Sequence, residues 1–297
     1  MRRLLLLPAL LALVLAACGE EDNAGSSAIE VVATTTQAAD LARNVGGRRA
    51  AVTGLLAANA DPHDYEVRPR DVEALTEAGL VLRSGGDLDE WLGEAIEGSG
   101  TDAPVLTLMD RVDPIEDDPH WWHDPRNAAK AVTAIRDALA QADPEGAAEY
   151  RANADAYLAE LRALDRAVEA CLQKVPADRR KLVTTHDALG YYARRYGIDV
   201  IGTVIPARTT QGQPSAGETA ELVRTIRAEG VETIFAEQSI DPKVEQAIAS
   251  EAGARVGPSL WTDSLAPQGT YVESIAANTR TLVDGFTGGE RSCSLPS

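Results

Sequence analysis

The chain has 297 residues, 44% apolar and 25% charged, a globular composition long enough for two domains of ordinary size. A formal net charge of −18 argues against nucleic acid or an anionic membrane surface as a partner and favours local accumulation of cations.

From the amino end, Arg2-Arg3, an apolar run from Leu4 to Val14 and Leu15-Ala16-Ala17-Cys18 form a secretory signal over residues 1–18. Its apolar part is too short to span a bilayer. The small residues ending on Cys18 resemble a bacterial lipobox, which implies cleavage before Cys18 and lipid on its thiol. Residues 19–28 are small and polar, as a flexible tether is.

A β-branched run at 29–34 reads as a strand, and helical periodicity follows over 37–45 until Gly46-Gly47 stops it. A second strand at 51–56 feeds a loop carrying His63. Pro69 opens a helix to about 78, and a third strand occupies 80–83. A helix over 88–97 leads to a fourth strand at 104–108, whose loop carries His120 and His123. Asp124-Pro125 forms an N-cap and N1 pair for the next helix.

Between Pro144 and Lys174, residues Tyr150, Ala154, Tyr157, Leu161, Leu164 and Val168 recur at threes and fours. That spacing predicts one amphipathic helix of about 45 Å, a rigid spacer between two halves. The second half repeats the plan. Strands are expected at 181–185, 198–205, 231–235 and 254–256, and helices from Pro214, Pro242 and Thr270. Alternating strands and helices imply parallel sheets with right-handed crossovers. The expected fold is α/β, with an N-terminal lobe at 29–143, a linking helix at 144–176 and a C-terminal lobe at 177–297. Cys171 and Cys293 remain after the leader. In an oxidising compartment such a pair is most simply a disulfide tying the C-terminal tail to the body, two free buried thiols being the alternative.

The four histidines fall in three similar phrases: Asp61-Pro62-His63-Asp64, Asp118-Pro119-His120-Trp121-Trp122-His123-Asp124 and Thr185-His186-Asp187. Imidazole is the commonest metal ligand, and each phrase follows a predicted strand, at the edge where open α/β sheets bind ligands. Asp263, in Trp261-Thr262-Asp263-Ser264-Leu265, offers a carboxylate in a similar setting. Three imidazoles and one carboxylate complete a tetrahedral site for a borderline metal such as zinc. His120 shares the Asp-Pro-His order of His63, which favours it over His123 as a ligand. His123 is then an alternative ligand or a neighbouring base. Glu237 offers a second carboxylate, or an orienting partner for an imidazole, and Asp64, Asp124 and Asp187 are further orienting candidates.

Together these phrases, with Gln213-Pro214-Ser215, Ala188-Leu189-Gly190-Tyr191-Tyr192 and Ile234-Phe235-Ala236-Glu237, resemble the TroA-like zinc and manganese solute-binding lipoproteins of ABC importers across nearly the whole mature chain. The resemblance implies two α/β lobes joined by one long helix, with His63, His120, His186 and Asp263 as ligands. It implies a lipid-anchored or periplasmic extracytoplasmic receptor, monomeric, delivering its ion to a membrane permease. Manganese-leaning members carry a carboxylate where His186 stands, so three imidazoles shift the expectation to Zn(II), with Mn(II) the alternative. The chain departs from many zinc importers in having the acidic stretch 110–118 instead of a His-rich loop, and His123 is an extra imidazole. Two other classes compete. A zinc hydrolase would use Glu237 as base, but no His-Glu-x-x-His helix is present and four protein ligands leave no position for water. A surface adhesin would hold its metal as a structural element only.

Overall fold

The computed structural model describes residues 28–266 and 269–296. The expected leader with Cys18, and the expected tether apart from its last residue, lie outside the described residues.

Among the described residues, eight strands form two all-parallel sheets. The first contains β1 (Ile29–Ala33), β2 (Ala50–Gly54), β3 (Leu80–Arg83) and β4 (Val105–Thr107) in the order β2-β1-β3-β4. The second contains β5 (Lys181–Thr184), β6 (Asp199–Thr203), β7 (Thr233–Glu237) and β8 (Arg255–Leu260) in the order β6-β5-β7-β8. The two lobes therefore repeat one strand order. In each, chain direction across the sheet reverses beside the first strand, which leaves a crevice at the carboxyl edge.

The helices are α1 (Thr36–Gly46), α2 (Pro69–Glu77), α3 (Leu92–Ser99), α4 (Pro125–Ala142), α5 (Ala147–Leu172), α6 (Gly190–Tyr196), α7 (Ala216–Glu229), α8 (Lys243–Ala252) and α9 (Tyr271–Thr287). Local chemistry accounts for several ends. Asp124 caps α4 by accepting from the Arg126 N–H, with Pro125 at the first helical position. Ser215 and Thr270 each form a capping box with a glutamate three residues on, Glu218 and Glu273.

Four expectations shift. The helix expected over 88–97 begins only at Leu92, because the Asp89 carboxylate folds the preceding turn around itself. It accepts from the Ser84 N–H at 2.7 Å, the Thr34 hydroxyl at 2.7 Å and Arg83 Nε at 2.9 Å. The last strand runs to Leu260, well past 256, since β7 offers it pairing as far as Glu237. Helix α6 has no counterpart among the expected elements; its seven residues are too few to display a clear 3.6-residue period.

The long helix starts at Ala147, after a 3₁₀ turn at Pro144–Gly146, and its 26 residues span about 39 Å. It joins the two lobes as expected and packs along its length. Tyr150, Ala154, Tyr157, Leu161, Leu164 and Val168 are buried in one apolar core that runs from Val31 and Leu82 in the first sheet to Tyr192 and Ile275 near the second. At about 1.5–3 kcal/mol for each fully buried large side chain, this face holds both lobes to one spine. Cys171 on α5 is disulfide-bonded to Cys293, with a Cα–Cα distance of 5.6 Å, and the tail is pinned further where Arg280 Nη2 donates to the Leu295 carbonyl at 3.1 Å.

Candidate metal centre

The loops leaving the carboxyl edges of the two sheets meet in the crevice between the lobes. His63 sits in a 3₁₀ turn (Pro62–Asp64) after β2, and His120 precedes a 3₁₀ turn (Trp121–His123) after β4. His186 follows β5, and Asp263 follows β8. One ligand atom from each of the four lies within 4.8 Å of the others. The ring centroids of the three imidazoles are 5.2–5.5 Å apart.

The repeated Asp-Pro-His phrase is an Asx turn. The Asp61 carboxylate accepts from the His63 N–H at 2.9 Å, and Asp118 accepts from the His120 N–H at 3.0 Å. Asp118 does more: the same oxygen lies 2.8 Å from His120 Nδ1. Glu237, at the end of β7, repeats this grip on His186, accepting from its backbone N–H at 3.0 Å and lying 2.6 Å from its Nδ1. A carboxylate against Nδ1 puts a proton there and leaves Nε2 to face the centre of the group. The Thr262 hydroxyl donates to Glu237 at 3.0 Å and holds it in place.

The remaining donor atoms are aimed inward and have no internal partner. Both oxygens of Asp263 are buried without a hydrogen bond, as is His63 Nε2. Asp263 Oδ1 is 3.5 Å from His120 Nε2, and Oδ2 is 3.5 Å from His186 Nε2. Unsatisfied buried carboxylate oxygens are expensive, so this arrangement fits a cation between the side chains.

Charge states follow from burial. Desolvation, then the neighbouring His186, pushes His63 down to about 4. Desolvation pushes His120 well below the ordinary histidine range, and His186 and His63 add to that. Burial works against a charge on His186 too, but Asp263 and Glu237 outweigh it and raise it to about 9. Burial raises Asp263 to about 7 against the pull of His186, and raises Asp118 to about 6. In the metal-free protein His186 therefore carries the site's proton, and its Nε2 lies 3.3 Å from the neutral His120 Nε2.

His123 is not among the four. It is 1% exposed, with its ring against Trp122 at 5.7 Å, and neither ring nitrogen has a hydrogen-bond partner. The Thr262 carbonyl beside it already accepts from the Trp122 indole at 2.9 Å, and burial keeps the ring neutral. Of the other expected orienting groups, Glu237 holds an imidazole. Asp124 caps α4, Asp64 is exposed, and Asp187 is half-buried beside Arg208. Asp118 was not among the orienting residues expected from sequence. Its signal was present all the same, two residues before a histidine in the Asp-Pro-His phrase.

Each lobe also braces the other's loop. The Tyr191 hydroxyl of α6 donates to the Asp118 carbonyl at 3.0 Å and accepts from the Ile115 N–H at 2.9 Å. Gly190 allows that approach, because a Cβ there would stand 2.8 Å from an Asp118 oxygen. In return, the Trp122 indole anchors Thr262, next to Asp263.

Two lobes of parallel sheet on a long helical spine, with a buried His₃Asp cluster in the crevice, define a two-lobed binding protein built around a cation. The chain belongs to the family of the periplasmic component A of the zinc-uptake complex, whose model matches residues 31–285. This is a family of metal-binding, substrate-binding components of ABC importers, receptors and not enzymes. Its relatives differ in the metal for which they are named. It is 29% identical to the manganese-binding lipoprotein MntA of Halalkalibacterium halodurans over 93% of this chain and 96% of that one. It is 31% identical to the iron-binding protein YfeA of Yersinia pestis over 90% and 89%. The solved structure of the periplasmic zinc-binding protein TroA from Treponema pallidum superposes with a TM-score of 0.82 at 30% identity, covering 88% of this chain and 99% of that one.

Proposed function

We propose that the protein captures Zn(II) between its lobes through His63, His120, His186 and Asp263 and delivers it to the membrane permease of an ABC importer. The observation that carries this function is four donor atoms within 4.8 Å of one another, with Asp263 buried and making no hydrogen bond. Such a carboxylate costs several kcal/mol unless a cation sits against it. Three imidazoles with one carboxylate favour zinc over manganese, which prefers oxygen ligands. Four protein ligands close the coordination shell, which suits capture and release. The protein works as a monomer, with no nucleic-acid partner, tethered by lipid on Cys18 at the extracytoplasmic face of the cell membrane. Its lobes correspond to residues 29–143 and 177–297, joined by 144–176.

The test is a competition between zinc and manganese, followed by elemental analysis of the bound metal. One zinc per chain retained against excess manganese, and lost in His186→Ala, is the expected outcome. Retention of manganese over zinc would make the protein a manganese receptor of the same type, in keeping with the relative named for that metal.

A further inference from the structure

The three imidazoles are not held equally. His120 and His186 are fully buried and gripped at Nδ1 by Asp118 and Glu237. His63 is half-buried, and its position is set through its backbone, whose N–H donates to Asp61 Oδ1. The other oxygen of that carboxylate, Oδ2, accepts from the Thr210 hydroxyl of the opposite lobe at 2.6 Å. Asp61 thus joins the His63 turn on one side to the segment after β6 on the other. That segment is tied to its own lobe's ligand loop, where the Ala207 carbonyl accepts from the Asp187 N–H at 2.9 Å.

The cross-lobe bonds made by Trp122 and Tyr191 are buried and secure the loops of Asp263 and His120. Two further buried bonds join the Trp122 carbonyl to the Tyr271 hydroxyl and Asp40 to the Tyr271 N–H, at 2.6 and 3.0 Å. Two less protected contacts also cross: the Leu265 N–H donates to the Thr36 hydroxyl at 2.9 Å, and Arg208 of the segment after β6 lies 3.7 Å from the exposed Glu116 of the His120 loop, a solvated pair of little strength.

Resting on the proposed metal-receptor function, we propose that Thr210 is a positioning residue: its bond to Asp61 latches His63 over the ion and sets how fast the ion leaves. His63 is the ligand that swings out first, and the crevice opens on its side while the braced side stays closed.

The experiment measures zinc release by stopped flow, with a chromophoric chelator in excess, for wild type, Thr210→Val and Thr210→Ser. Valine keeps the shape and removes the donor; serine keeps the donor. A lost hydrogen bond to a carboxylate, partly replaced by water, predicts release about tenfold faster in Thr210→Val. The association rate and the melting temperature of the metal-free protein should stay near wild type, and Thr210→Ser should release near the wild-type rate. Release from Thr210→Val at the wild-type rate, or equally fast release from Thr210→Ser, overturns the latch while leaving the binding site intact. Zinc held as well by His63→Ala and His186→Ala as by wild type would instead overturn the site, and the latch with it.

Discussion

In the metal-free protein a proton holds the place of the ion. His186 is raised to about 9 because Asp263 and Glu237 outweigh the effect of burial, so it is protonated at pH 7. A metal can bind its Nε2 only after that proton leaves. Removing a proton two units below its pKa costs about 3 kcal/mol, or roughly a hundredfold in apparent affinity at pH 7. The sign is unambiguous: the free site holds the proton and the bound site does not, so affinity rises with pH. The expected slope is about tenfold per unit between pH 7 and 9, flattening above 9. Below about 7 Asp263 takes up a proton as well, and the slope steepens. Chelator competition from pH 6 to 9.5 at constant ionic strength measures the slope. Calorimetry at pH 8 in two buffers of different ionisation enthalpy counts about one proton released. Glu237→Gln removes part of the charge that holds the proton and should flatten the curve. An affinity independent of pH between 7 and 8.5, or a binding heat independent of buffer, would refute this account.

Three other outcomes are expected. His120→Ala should weaken zinc binding by more than about a hundredfold, beyond the range for loss of an outer partner, whereas His123→Ala should change it by less than about tenfold; the reverse order in a titration would exchange their roles. The metal-free protein should lose stability at high pH. The folded pKa of His186, about 9, lies above its unfolded value near 6.5, so its contribution is complete below 6.5 and is lost as pH rises through 9. Unfolding free energies from urea titrations at pH 7 and 9.5 should differ by about 2–3 kcal/mol, and an unchanged value would contradict it. Reducing the Cys171–Cys293 bond, which spans 122 positions, should lower stability by about 2–5 kcal/mol in the same denaturation assay, with zinc affinity nearly unchanged because Cys171 precedes the amino end of β5, whereas His186 follows its carboxyl end.

Much of the fold was legible because it is written in local patterns. The alternation of β-branched runs with amphipathic stretches predicted parallel sheets, and both sheets are parallel. Asp124-Pro125 and Thr270 mark helix starts that depend only on neighbouring residues. The errors fall where distant groups intervene. Asp89 delays α3 by gathering donors from the residues just after β1 and β3, and β8 extends because β7 lies beside it. Helix α5 joins the lobes as its periodicity predicts, but periodicity does not say what its apolar face covers. Its apolar stripe turns out to be the floor of a core shared by both lobes.

The kinds of donor available follow from residue types and their near neighbours. With so few histidines, each in a turn after a strand, a three-imidazole, one-carboxylate set could be proposed from short-range chemistry. The preference for His120 over His123 also came from a local signal, the Asx turn of Asp-Pro-His. How those donors are held and charged depends on long-range packing. Asp118 and Glu237 act on ring nitrogens, Tyr191 and Trp122 brace loops of the opposite lobe, and Thr210 reaches Asp61 across 149 positions of chain. Orientation and pKa depend on which groups share a dry crevice, and the distances that set them are made by the packing of two lobes on one helix.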